Sequence, residues 1–483
     1  MNIEHAYTKQ ILSAFEQISQ VPRESKKEEK IVVWLLEWAA EKGLQARSDE
    51  AGNIVIKVPA TQGYENSEIL VLQGHMDMVC EKTRDSNHDF DKDPIELVYT
   101  DDGWLTADRT TLGADNGIAI AMAMVAATDK TLGHPPLELL FTTDEETGLT
   151  GASSLKPGFI EGKQLLNIDS EDEGVFTVGC AGGEDASVVL PFVTGESLPG
   201  YDAYKLEASG MSGGHSGIDI ILGRANAIKL TFRAINLLSQ QTDVRIASVS
   251  GGTTRNAIPR DCETILLIAE QDTAKAQTRI GQLEQKLQSE YRKTDPNLTL
   301  ELTPAHGDFK AASAGTTRRA IDLMLAYPDG VTAMSKDIDG LVETSNNLAK
   351  VNTENGKLVI LSNQRSSNMD SLALIGERIL SVARLAGAEG KTSGAYPSWQ
   401  PNMESKLLAR CIEVYEKRFA KAPVVEAIHA GLECGIIGSK YAGMDMISFG
   451  PTIKYPHSPD EKIEIASIGK TWDFMTALFE SYK

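Results

Sequence analysis

Acidic and histidine residues recur just beyond short apolar runs in this chain. His75 and Asp77 follow residues 69–72 in QGHMDM, and Asp115 stands in LGADNG ahead of a helical stretch. Glu145 and Glu146 follow residues 137–141 in TTDEETG, and Asp169 follows 165–168 in NIDSED. His457 lies in PTIKYPHSPDE, after residues 446–449. Imidazole and carboxylate together suit zinc, manganese or cobalt. One catalytic zinc takes three protein ligands plus water. Three carboxylates and two imidazoles exceed that need, and suit two metals sharing a bridging carboxylate with a water between them. Asp77 and Glu145 are then left over. Asp77 can accept a proton from the second nitrogen of His75 and fix its tautomer. Glu145 can take a proton from the water. Singly, each motif has a plainer reading: a Glu pair marks a solvated face, and Asp115 before a helix is a good N-cap.

Open α/β sheets bind ligands outside the carboxyl ends of their strands. The periodicity predicts helices over 5–20 and 28–42, strands over 53–56 and 69–72, a helix over 118–127, and strands over 137–141 and 165–168. This alternation implies an α/β layer with a largely parallel mixed sheet. Beyond residue 186 the texture changes. Strands at 188–193, 204–207, 244–249 and 263–269 surround helices at 219–238 and 273–293. A second set from about 298 has helices at 317–326 and 371–385 and a strand at 357–362, so two α+β lobes are expected. Residues 390–401, rich in Gly, Ser and Pro, read as a connector. A helix at 404–419 and a strand at 445–449 return to the first texture. The expected organisation is one domain of residues 1–186 and 396–483, interrupted by an insertion of 187–395. GCAGGED at 179–185 lacks the Lys-Ser/Thr of a phosphate loop and the Rossmann spacing.

Composition narrows the function. The 483 residues carry 47 Lys and Arg against 68 Asp and Glu, a net charge of −21. Such a chain repels nucleic acid and anionic membrane. The start, MNIEHAYTKQ, has neither the basic nor the apolar region of a signal peptide. The apolar run 117–127 is too short to span a bilayer. The five cysteines are scattered without a CxxC pair, as expected of reduced thiols in the cytoplasm.

HxD, ADNG, DEETG, a strand ending in Asp and a distant HSPDE, in that order, resemble the co-catalytic di-zinc exopeptidase family. GHSG, RNAIP, IHAGLECG and FGPTIKYPHSP resemble its bacterial aminoacyl-histidine dipeptidases, nearly end to end. The resemblance implies two zinc ions, with manganese or cobalt as substitutes. His75, Asp115 and Asp169 would hold one ion, and Asp115, Glu146 and His457 the other. Glu145 would be general base and Asp77 the orienter of His75. The inserted domain would be a two-lobed lid. In it His215 would stabilise the oxyanion, while Asn256 and Arg365 bind substrate; Gly431 would contribute from the catalytic domain. Arg365 sits about a hundred residues after Asn256, unlike in shorter relatives, where both share a lobe. The implied reaction is dipeptide hydrolysis, Xaa-His dipeptides such as carnosine included, by a water held between the metals. The partners implied are a dipeptide substrate and a second copy in a homodimer. An N-acyl-amino-acid deacylase would use the same motifs. A peptide-binding protein without catalysis would lack the ligands or Glu145, and all are present.

Overall fold

The computed structural model describes residues 5–196 and 198–483. The chain forms two compact units. One comprises Met1–Cys180, Trp399–Ala427 and Leu432–Lys483; the other comprises Ala181–Ser398 and Ile428–Gly431.

The first unit is built on an eight-stranded sheet. Its order is Gln45–Ser48, Ile54–Val58, Leu137–Thr142, Leu70–His75, Gln164–Asn167, Asp445–Ser448, Val175–Cys180, Val424–Ile428. Leu70–His75 runs parallel to both neighbours, and Asp445–Ser448 runs parallel to Gln164–Asn167. Flanking these four strands, Ile54–Val58 pairs antiparallel with Leu137–Thr142, and Val175–Cys180 with Asp445–Ser448. Successive side chains of a strand face opposite sides. Ile54, Ile56, Leu70, Leu72, Leu137, Leu139 and Phe141 join the core under helices Ala6–Ser19, Ala114–Thr128 and Ile465–Glu480. Val55, Val71, Leu140 and Leu165 meet Ala152, Leu155, Ile436 and Ile437 on the other face. A sheet covered on both faces needs near-continuous apolar strands, which is why LVLQGH and LELLFT do not alternate. The four parallel strands therefore point their carboxyl ends to one edge. A small sheet of Ile453–Lys454, Lys462–Glu464, Trp104–Ala107 and Leu97–Tyr99 carries the loop with His457.

The second unit is a nine-stranded sheet. Thr299–Pro304, Tyr201–Ser209, Cys262–Ala269 and Val244–Gly251 make one half; Val342–Glu354, Lys357–Ser366, Gly182–Pro191 and Glu389–Tyr396 the other, with Gly330–Met334 beside Val342–Glu354. The halves join through Ser250 opposite Asn352 and Gly251 opposite Val351.

Three expectations change. Residues 390–401 are not all connector, since Glu389–Tyr396 is an edge strand against Gly182–Pro191. It is exposed along nearly its whole length, so it carries no apolar alternation. The helix expected over 219–238 begins only at Ala227. Gly223, at φ +61°, ends a short 3-10 turn, and the Asn226 side chain accepts the Ile228 and Lys229 N–H groups to start a new helix. Val342–Glu354 escaped notice because VETSNNLAKVNTE reads as polar, although Asn346 and Asn347 are buried. All five cysteines are free. No helix among the described residues is long and apolar enough to cross a membrane.

Candidate metal centre and substrate residues

The carboxyl edge of the parallel strands gathers the acidic and histidine residues of the first unit. His75, the last residue of its strand, places Nε2 3.1 Å from Asp115 Oδ1 and 3.4 Å from Asp169 Oδ1. His457 places Nε2 3.1 Å from Asp115 Oδ2 and 3.0 Å from Glu146 Oε2. Each oxygen of Asp115 thus faces one imidazole. His75, Asp115 and Asp169 bring ligand atoms within 4.8 Å of one another, as do Asp115, Glu146 and His457. Two nitrogen-and-oxygen donor sets sharing a carboxylate fit a pair of divalent cations. Glu146 Oε1 is buried without a hydrogen-bond partner, which also fits a cation.

The electrostatics match this crowding. Burial opposes charge on His75, yet Asp169, Asp115 and Asp77 hold its pKa well above the usual value. Hydrogen bonds to Asp115 and Glu146 lift His457 to about 11. Burial raises Asp169 to about 6, with Asp115 and Glu146 adding and His75 opposing. Asp115 is held low against its burial by His457 and His75.

Asp77 is fully buried. Its Oδ1 lies 3.3 Å from His75 Nδ1 and accepts the Glu145 N–H at 3.0 Å; Oδ2 accepts the Ser25 hydroxyl at 2.8 Å and the Glu146 N–H at 3.3 Å. It therefore meets both His75 and the backbone of the Glu pair. Burial works against its charge, but the His75 hydrogen bond and these donors bring Asp77 to about 2. Glu145 goes the other way. Burial, then Asp169, Glu433 and Glu146, push it well above the carboxylate range despite His75. Asp115 stands at a break in its helix, at φ −81° and ψ 105°, and turns its carboxylate oxygens to His75 and His457 instead of to helix N–H groups. The Asp115–Asn116 peptide is cis.

The second unit gathers another group. His215 Nδ1 accepts the N–H groups of Gly217 and Ile218 at 3.2 and 3.1 Å. A ring nitrogen that accepts leaves the proton on the other, so Nε2 is the donor. Burial and the Arg365 charge keep this imidazole below its usual pKa. Gly217 is required here, because a Cβ would stand 2.3 Å from the His429 carbonyl oxygen. Arg365 lies in Lys357–Ser366, opposite Ser345 on one side and Gly183 on the other. It is 7% exposed. Its nitrogens donate to Tyr396 Oη at 3.2 Å and Ser216 Oγ at 3.4 Å, and Nε has no partner. Among the described residues no carboxylate pairs with this guanidinium. Asn256 is exposed, and its carbonyl accepts the Ser216 N–H at 2.8 Å. Gly431, expected from the catalytic part, groups with the second unit, where a Cβ would stand 3.1 Å from the Tyr396 ring. GCAGGED is strand rather than phosphate loop, spanning the end of Val175–Cys180 and the start of Gly182–Pro191.

Sequence reasoning missed His429, buried with Nε2 2.7 Å from Ser345 Oγ, and Tyr396. Glu433, in IHAGLECG, lies within electrostatic reach of His75 and Asp169. Glu433 is fully buried; Oε2 accepts from Gln73 at 2.6 Å and Thr142 at 2.7 Å, and Oε1 has no partner. Its signal in the sequence is a Glu opening a helix in an otherwise apolar and small-residue run, GLECGIIG.

The sequence matches Peptidase family M20/M25/M40 over residues 71–481. It is 39% identical over 467 residues to the cytosol non-specific dipeptidase of Escherichia coli strain K12, with 96% of each chain covered. The fold superimposes on the crystal structure of aminoacylhistidine dipeptidase from Vibrio alginolyticus with a TM-score of 0.91 and 40% identity, covering 98% of this chain and 96% of that one. A tripeptidase from Staphylococcus aureus shares the fold alone, at a TM-score of 0.56 and 15% identity over 98% of each chain. With the family match running from Val71 to Ser481 and a relative of that identity along nearly the whole chain, this protein belongs to peptidase family M20/M25/M40.

Proposed function

We propose that the chain is a metal-dependent dipeptidase that cleaves dipeptides, Xaa-His dipeptides such as carnosine among them. The observation that carries the reading is the pair of donor sets sharing Asp115. Similarity to dipeptidases along the full chain supports the substrate class. His75, Asp115 and Asp169 would hold one zinc ion and Asp115, Glu146 and His457 the other. When bound, the metals supply an acidified water and polarise the scissile carbonyl.

The protein's own groups do the rest. Glu145, raised by burial and like charges, takes a proton from the attacking water and delivers it to the leaving amine. Asp77 keeps His75 and the Glu pair in register. His215 donates from Nε2 to the oxygen that gains charge at the scissile carbonyl. Arg365 pairs with the C-terminal carboxylate of the substrate, which its planar fork suits. Asn256 and the backbone at Gly431 contact the substrate. Glu433, whose free oxygen is buried, accepts from the α-amine. A dipeptide has both termini beside its one peptide bond, so carboxylate and amine recognition together set the length. The second unit acts as a lid. Cytoplasmic location and a homodimer belong to the same proposal.

The test is release of histidine from β-alanyl-histidine and glycyl-histidine, before and after chelation and with zinc restored. Turnover that survives chelation refutes the metal role. An N-acetylated dipeptide cleaved as well as the free one would replace the reading by a deacylase. Light scattering and cell fractionation check assembly and location.

A further inference from the structure

Every helix start leaves backbone N–H groups without intrahelical partners. The backbone of Ala114–Thr128 is non-helical at Asp115 and Asn116, and the N–H groups of the turn up to that break find their partner on a distant loop. Glu461 Oε2 accepts the Leu112 and Gly113 N–H groups at 2.9 and 3.0 Å, and Oε1 accepts those of Ala114 and Asp115 at 2.8 and 3.3 Å. Glu461 is 2% exposed, and one carboxylate thus takes all its hydrogen bonds from a single turn. The carbonyl side of the same turn meets Arg23, also 2% exposed. Its Nη2 donates to the Gly113 carbonyl at 2.5 Å, while Nη1 donates to the carbonyls of Met76 and Asp77, both at 3.1 Å. The guanidinium needs room that only glycine leaves. A Cβ on Gly113 would stand 2.5 Å from Nη2, and one on Gly117 2.7 Å. Gly113 also has φ +68°, which favours glycine by itself, and Met78 and Phe15 crowd the two positions as well.

Glu461 holds the backbone N–H groups of the turn, and both oxygens of Asp115 are turned toward His75 and His457. Arg23 ties the Asp115 turn to the backbone just after His75. Glu461 ties it to the loop that carries His457. We propose that Arg23 and Glu461 are positioning residues of the metal centre, clamping the turn at 112–115 from opposite sides so that Asp115 is aimed between the two histidines before metal arrives. The inference rests on the reading of Asp115 as the shared ligand. Both side chains are buried and meet backbone groups of the turn.

Glu461→Gln keeps the shape but sets an amide against N–H donors where an oxygen stood. Titration of the metal-stripped variant with cobalt, followed by visible absorbance, should show affinity weakened about 10–100-fold, the scale for groups that orient ligands. Arg23→Lys keeps the charge but not the fork, and should lose less. The full-length wild type, stripped of metal, should show slow hydrogen exchange at the amides of residues 112–115. Wild-type cobalt affinity and spectrum in Glu461→Gln would overturn the proposal. So would fast exchange at those amides in the stripped wild type, slowed only by metal. Should Glu461→Gln not fold, the exchange result and Arg23→Lys decide. A wild type that takes up no cobalt at all would sink the metal reading itself, a different outcome from an intact centre indifferent to the clamp.

Discussion

Replacing Arg365 by Met removes a buried cation while keeping most of its volume. An exposed ion pair is worth about 0–1 kcal/mol, but Arg365 is 7% exposed and has only two neutral hydroxyl partners, each at long distance. Hydrogen bonds to charged groups contribute about 1.5–3 kcal/mol each. A bidentate pair with a substrate carboxylate is then worth at least about 3 kcal/mol, or about 10²-fold in kcat/KM. Converting the substrate carboxylate to an amide removes the same pair from the other side. The assay is therefore a cycle: wild type and Arg365→Met, each with a dipeptide and its C-terminal amide. Wild type should prefer the acid by about 10²-fold or more, and Arg365→Met should show a preference near one. The folded protein should not suffer, because a buried charge without a counter-ion costs stability. The melting temperature of Arg365→Met is expected at or above that of wild type. A variant that still prefers the acid by the wild-type ratio would refute the carboxylate role.

Metal analysis of active protein should give two divalent ions per chain; one ion at full activity contradicts the shared-ligand geometry. Glu145→Ala should keep both ions and lose about 10²–10⁴-fold in kcat, whereas Glu146→Ala should lose metal, so equal metal content in the two variants would reverse their roles. His215→Ala should lower kcat by about 10²–10³-fold at unchanged metal content, and an unaltered kcat removes it from the mechanism. Burial, with the Arg365 charge second, depresses His429 from 6.5 to about 3. The unfolded chain therefore takes up this proton first. Stability due to neutral His429 is complete above about pH 6.5 and falls as pH drops toward 3, by up to about 1.4 kcal/mol per pH unit. Urea unfolding should show that slope between pH 6.5 and 5 in wild type and a shallower one in His429→Gln.

The sequence disclosed the first unit better than the second, for a physical reason. Strands buried on both faces are apolar throughout, so runs at 137–141 and 165–168 stand out and lie within a residue or so of Leu137–Thr142 and Gln164–Asn167. The candidate residues His75, Glu145, Glu146 and Asp169 stand out because they sit at or just after the ends of such runs. In the second unit, Tyr201–Ser209 is half exposed, Val342–Glu354 is polar by composition and Glu389–Tyr396 is an open edge. What one face of a strand hides, the sequence shows only faintly. Arg23 and Glu461 were harder still. Each meets only backbone partners far away in sequence, and nothing local marks a buried ion.

Those buried ions also explain why the strand-end edge suits divalent cations. Burial raises Glu433 to about 7, Glu171 to about 8 and Asp169 to about 6, while Glu145 is raised as well. The imidazoles of His75 and His457 are raised at the same time. Carboxyls rise when negative charge is too dense or too dry, and imidazoles rise when carboxylates surround them. Both shifts report the same excess of negative potential at one place. Protons are a poor remedy, since a protonated imidazole cannot be a ligand and a protonated Glu145 cannot be a base. Two divalent cations cancel the potential while leaving every imidazole neutral and every carboxylate charged. Metal uptake is then coupled to proton release from His75 and His457, which must be neutral to be ligands.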